Sequence, residues 1–162
     1  MIEDHRGFHD LLLAGVPVSY HDDDGMERYD HARLVDFDVP GNNEFLAVNQ
    51  LTLIVGGKNR RPDILLYING LPLGQIELKA PGTKDMATAI VNQVRHYTET
   101  VQPLYRYVEI IGASDLITAR VGPITTPAEH FAEWKSMSAD EAERARPQLE
   151  LMIDGVRASA VP

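Results

Sequence analysis

Three side chains in one stretch, "RRPDILLYINGLPLGQIELKAP" (60–81), are of the types that handle phosphoryl groups: Asp63, Glu77 and Lys79. In a β-strand, residues i and i+2 share a face, so Glu77 and Lys79 point the same way. Ile76, Leu78 and Ala80 are then expected to face the other layer. A strand that buries a carboxylate and an ammonium on one face loses hydration energy unless something charged meets them. Asp63 is placed to do so across a hairpin. With a three-residue loop at Asn69-Gly70-Leu71, Ile68 pairs with Pro72 and Asp63 lies opposite Glu77. A two- or four-residue loop misses by one position and needs a bulge or bend to restore the approach.

Two carboxylates at that distance repel, and a hard divalent cation relieves the conflict. Oxygen ligands that leave several waters in place suit Mg²⁺, and the backbone carbonyl of Leu78 could add a third ligand to Asp63 and Glu77. Lys79 beside the cation would hold a phosphate oxygen and orient or deprotonate an attacking water. The plainer explanation is a structural salt bridge of Glu77 with Lys79, or of either with Arg60 or Arg61. The Pro62-Asp63 dipeptide at hairpin distance favours a site.

The elements that must position these residues are legible around them. Residues 2–14 predict a helix with Phe8, Leu11, Leu12 and Leu13 on its apolar side and Gly15 as its stop. Residues 16–20 are extended, and an Asp-rich turn through Gly25 follows. Residues 32–38 ("ARLVDFD") suggest a strand and 40–43 a loop, with Asn42 or Asn43 capping a brief helical turn over 44–46. "VNQLTLIVG" is a strand, and the hairpin 63–79 comes next. Thr83 is the expected N-cap of a helix to about Val101, with Ala87, Ile90, Val91, Val94 and Thr98 inward. "YVEIIGAS" and "LITARVG" are two more strands, and 127–134 a short helix. This order gives an α/β fold, a mixed sheet flanked by helices. Residues 1–135 are expected to be one domain, and 136–162 a helical linker.

Gln93 and Tyr97, at i and i+4, share one flank of that helix. The helix follows Lys79 after a short loop, so this flank is expected to turn toward Glu77 and Lys79, where an amide and a phenol could contact phosphate or hold Lys79. Spacing alone fits a capping or core-edge pair better. His5 and His9 are also i and i+4 but have no evident third ligand, which favours a solvated face. His21, His31, His96 and His130 have no recognisable partners. Gly56-Gly57-Lys58 lacks the spacing of a phosphate-binding loop.

The chain has 162 residues, no cysteine and a formal charge of −9. Without cysteine there are no disulfides, zinc–thiolate sites or thiol nucleophiles. No run approaches the ~18 apolar residues of a membrane span, so the expectation is a soluble cytoplasmic protein without membrane contact. The net charge argues against nucleic acid, but Lys58, Arg60, Arg61, Lys79, Lys84 and Arg95 cluster between 58 and 96 against only Asp63, Glu77 and Asp85. A local basic belt can bind phosphates on an acidic chain, although charges also scatter this way by chance.

Pro62-Asp63 with Glu77-Leu78-Lys79 resembles the signature of the PD-(D/E)xK nuclease superfamily. The longer segments "LVDFDVPGNNEFLAVNQLTL", "RRPDILLYINGLPLGQIELK" and "NQVRHYTE" resemble the N-terminal nuclease region of the R (restriction) subunit of type I restriction-modification enzymes. The resemblance runs from Phe8 to about Trp134. It implies a restriction-endonuclease-like core, cleavage by Asp63, Glu77 and Lys79 with Mg²⁺, and a supporting Q-x-x-x-Y motif at Gln93 and Tyr97. It further implies double-stranded DNA as substrate, and methyltransferase and specificity subunits as partners. ATP would be used by a motor on the same full-length polypeptide, of which these residues hold no motif. Two other readings compete: a non-catalytic module that docks DNA or a subunit, and a structure-specific repair nuclease with the same core.

Overall fold

Asn69 and Gly70 set the geometry of the central hairpin. Both have positive φ, 50° and 78°, the conformation of a two-residue turn that matches the twist of its strands. In the computed structural model, which describes residues 2–115, 118–134 and 140, this turn joins β6 (Ile64–Ile68) to β7 (Leu71–Leu78). Ile68 pairs with Leu71, not with Pro72. A bulge after Leu66 then skips Leu73, and the ladder resumes as Leu66–Gly74 and Ile64–Ile76. The two-residue loop costs one position of register and the bulge restores it, so Asp63 and Glu77 fall at the same level.

β7 is the hub of a six-stranded sheet. The other members are β3 (Phe45–Asn49), β8 (Ile110–Ser114), β9 (Ala119–Pro123) and β10 (Ala132–Glu133), in the order β10-β9-β8-β7-β6-β3. Only β7 and β8 run parallel. A parallel pair needs a crossover, made here by α2 (Met86–Thr100) and the short α3 (Gln102–Tyr105). α2 buries Met86, Ala87, Ile90, Val91, Val94 and Thr98; its apolar part packs in one cluster with Tyr105, Val108, Ile111, Ala113 and Phe131. A second cluster joins Leu73 to Phe8 and Leu12 of α1 (Ile2–Ala14) and to Val35. The expected α/β architecture, a mixed sheet flanked by helices, is the one observed.

Two hairpins stand apart from this sheet: β1 (Val16–His21) with β2 (Glu27–Ala32), and β4 (Leu53–Val55) with β5 (Lys58–Arg60). The second begins after Gln50, whose φ of 49° breaks "VNQLTLIVG" into β3 and β4 where one strand was expected. The strand expected at 32–38 ends at Ala32 instead. Beyond it, Asp36 accepts the amides of Asp38 and Val39, and Asn43 bonds the backbone of Asp36, so side chains take the groups a ladder would need. The helical turn at 44–46 is absent: a 3₁₀ turn spans Pro40–Asn42 and Phe45 already belongs to β3.

α2 starts two residues later than a Thr83 cap would place it. The Thr83 hydroxyl donates to Ala80 O, Gly82 N is held by Asp115, and Asp85 precedes the helix in the left-handed region. The expected helix at 127–134 is a 3₁₀ turn, Ala128–His130, followed by β10, because pairing with β9 captures Ala132 and Glu133. Apart from Asp140, the expected linker at 136–162 lies outside the described residues. Among the described residues no helix is long and apolar enough to cross a membrane.

Candidate active site

The Asp63–Glu77 level of the hairpin is cross-linked by its own backbone. Asp63 N–H donates to Glu77 Oε1 at 3.2 Å, and Leu78 N–H donates to Asp63 Oδ2 at 2.8 Å. Each carboxylate thus grips the strand that carries the other, which fixes both without a cation. Glu77 is completely buried. Lys79, on the same face, is half-buried and its backbone N–H bonds Ser114 O of β8 at 2.8 Å.

The face that carries Glu77 is the covered one. Glu77 and Gln75 are buried, whereas Leu78 is 44% exposed. The reason lies on α2. Gln93 donates from one amide nitrogen to Glu77 Oε2 and to the Tyr97 hydroxyl, the latter at 2.9 Å, and its oxygen accepts from Lys79 Nζ. An amide with two donors and one acceptor can join a carboxylate to an ammonium, and this one does so under the helix. Gln93 and Tyr97 therefore turn toward Glu77 and Lys79.

Sequence reasoning passed over Gln75. It is 1% exposed and donates Nε2 to Glu77 Oε1 at 2.7 Å. The signal was available: Gln75, Glu77 and Lys79 alternate on one face, and a third polar residue in such a run needs a partner as much as the other two.

Burial raises the Glu77 pKa from 4.5 to about 7, and the neighbouring Asp63 charge adds to it; Gln75, the Asp63 amide and Lys79 pull the other way. Burial also raises the Tyr97 phenol, against the opposing bond from Gln93. A carboxyl held near neutrality beside a second carboxyl gains from any cation placed between them.

Among the described residues no three His, Cys, Asp or Glu side chains form a ready metal cage. The donor set is two carboxylates at one level of a hairpin, with the backbone of Leu78 between Glu77 and Lys79. That fits a small hard cation that keeps part of its water shell, and it does not fit zinc, which takes nitrogen and sulfur ligands.

The basic residues divide. Lys58 and Arg61 are exposed. Arg60 is half-buried and tied to α2: its Nη2 lies 2.7 Å from His96 Nε2 and donates to Thr100 Oγ1 at 3.1 Å. His96 thus has a partner the sequence did not reveal. So do His5 and His9: His5 is largely covered and its Nε2 lies 2.8 Å from Val108 O, whereas His9 stays exposed, as a solvated face would have it, with Nδ1 3.0 Å from Glu109 Oε2.

The site thus joins Glu77 of the hub strand, Lys79 just beyond its end and Asp63 just before β6 beneath the crossover helix of a mixed sheet. The chain belongs to the family described as the type I restriction enzyme R protein N terminus, which it matches over residues 1–130. It is 40% identical over 135 residues to the type I restriction enzyme HindI endonuclease subunit of Haemophilus influenzae, covering 81% of this chain and 12% of that protein. It is 28% identical over 137 residues to a Methanocaldococcus jannaschii protein named as a candidate type I restriction enzyme MjaIXP endonuclease subunit, covering 83% and 13% of the two. The chain therefore spans about an eighth of the length of the curated relatives it matches.

Proposed function

We propose that the chain is the Mg²⁺-dependent endonuclease domain of a type I restriction enzyme R subunit, of the PD-(D/E)xK kind, and hydrolyses phosphodiesters of double-stranded DNA in the cytoplasm. The observation that carries this reading is the buried Glu77, bonded through Asp63, Gln93 and Gln75 into one unit with Lys79 at its edge. A structural salt bridge needs no second carboxylate, no bridging amide and no burial.

Asp63 and Glu77 would hold the cation, with the Leu78 carbonyl as a third oxygen. When bound, Mg²⁺ supplies charge neutralisation and a more acidic water. Lys79, steadied by Gln93, would hold a phosphate oxygen and orient the water in line with the leaving sugar oxygen. Tyr97 accepts a second hydrogen bond from the Gln93 amide nitrogen. Lys58 and Arg61 would steer the DNA backbone; Arg60 contributes through its hold on α2, with less of its guanidinium free for phosphate. Such contacts position DNA without reading its sequence. Residues 1–135 would form this domain and 136–162 a connection to an ATP-driven motor, with methyltransferase and specificity subunits supplying the target.

The test is cleavage of supercoiled plasmid by the assembled enzyme with ATP and Mg²⁺. Asp63→Ala should lower cleavage at least about a thousandfold while ATP hydrolysis persists. Undiminished cleavage would leave the chain as a docking module. The 162-residue chain alone should bind duplex DNA weakly, with no sequence preference and a steep salt dependence; site-specific binding in a salt series would contradict this.

A further inference from the structure

Glu77 has two oxygens and they are not equivalent. Oε1 accepts from Gln75 Nε2 at 2.7 Å and from Asp63 N–H at 3.2 Å. A carboxylate oxygen has about two acceptor positions, so Oε1 is filled. Oε2 accepts from Gln93 alone among the hydrogen bonds of the described residues, and keeps one acceptor position open.

Gln75 reaches this arrangement at its own expense. Its amide oxygen is buried with no hydrogen-bond partner among the described residues, and so is the hydroxyl of Tyr105. The two side chains are close, for Gln75 opposes the strong upward push of burial on the Tyr105 phenol. Turning the amide over would set its oxygen against Glu77 Oε1, an arrangement that the ionised carboxylate, which only accepts, cannot satisfy. A buried polar atom left unpaired in a native core asks for an explanation, and the one available is the bond to Glu77.

We propose that Gln75 is a positioning residue for the cation: with the Asp63 amide it occupies Oε1, so that Glu77 offers Oε2 as its one metal-facing oxygen. This rests on the reading of Asp63 and Glu77 as metal ligands. Gln75 does not touch the cation or the DNA. It locks the Glu77 carboxylate against rotation from beneath, while Gln93 holds it from the helix side. Groups that orient a ligand in this way are commonly worth 10–100-fold in metal affinity.

The experiment is a Mn²⁺ titration of the 162-residue chain, read as free Mn²⁺ by electron paramagnetic resonance, on wild type, Glu77→Ala and Gln75→Met. Methionine keeps the length of the side chain and removes the donor. Wild type should bind, Glu77→Ala should lose the site, and Gln75→Met should bind roughly tenfold or more weakly. Gln75→Asn, which keeps an amide but withdraws it by one methylene, should weaken binding similarly and serves if the methionine variant does not fold. In the assembled enzyme the Mg²⁺ concentration for half-maximal cleavage should rise in either variant more than the rate at saturating Mg²⁺ falls. A Glu77-dependent site of unchanged affinity in a folded Gln75 variant overturns this inference alone. Wild type without a Glu77-dependent site overturns the metal reading and this inference with it.

Discussion

The β6–β7 hairpin and the β1–β2 ribbon are both antiparallel pairs closed by tight, polar turns, and both carry charge. In the ribbon almost every residue is exposed, including Tyr20 and Tyr29 at 50% and 77%. Its acids satisfy their own turn: Asp22 takes the amides of Asp24 and Met26 and pairs with Arg28 at 2.7 Å. In β6–β7 the acids lie under a helix, and apart from the Gln75–Glu77 bond within β7 the bonds they make cross to the other side of the hairpin or to α2. The ribbon carries more acid, yet the buried pair holds the energy. An exposed charge can leave its partner for water at little cost, whereas a buried one is held in place by every bond around it.

The comparison breaks most sharply in activity. Glu77→Ala or Lys79→Ala should remove cleavage by the assembled enzyme as completely as Asp63→Ala, because the proposed function makes metal and water handling one unit. Asp22→Asn or Glu27→Gln on the ribbon should leave the plasmid-cleavage rate within about twofold, as expected of solvated charges. A ribbon variant that matches a site variant would erase the distinction.

A smaller effect is expected at the roof. Gln93→Ala separates Lys79 from Glu77 and should slow cleavage about 10–100-fold, with ATP hydrolysis intact. Tyr97→Phe removes only the hydroxyl that accepts from the Gln93 amide nitrogen and should cost less than tenfold by the same reasoning. Kinetics on the two variants, set beside their thermal melts, separate a catalytic deficit from a folding one.

The smallest effect lies in stability. The Glu77 pKa is raised in the folded chain, so the unfolded chain releases that proton first. Its contribution is fully present below the unfolded value of 4.5 and is lost as pH rises through about 7. In the absence of metal, thermal melts should show stability falling by roughly 1–3 kcal/mol over that window relative to Glu77→Gln, which stays neutral. Mg²⁺ should restore the loss above pH 7. Parallel pH profiles for wild type and Glu77→Gln would mean the carboxyl is not held as described.

Much of this was legible. The apolar stripe of α2 (Ala87, Ile90, Val91, Val94 and Thr98) is buried as its spacing requires, and α1 stops at Gly15. The level of Asp63 with Glu77 could be stated as a condition on the turn, but Asn69-Gly70 chose the two-residue loop and the bulge supplied the correction. The covered face of β7 was legible only through α2: alternation tells which residues share a side, not which side is inside, and the expected turn of Gln93 and Tyr97 toward Glu77 is what put a helix over that face. Glu77 is inside because a glutamine sixteen residues away satisfies it. The strand expected at 32–38 failed for a related reason: Asp36 and Asn43 spend their side chains on the backbone, a competition that hydrophobic patterning does not register.

The most direct measurement is a calorimetric Mg²⁺ titration of the 162-residue chain at pH 8, with Asp63→Ala as control. The account predicts binding in the wild type that disappears in Asp63→Ala while the melting profile stays cooperative. Equal binding by both chains, or none by either, would contradict it.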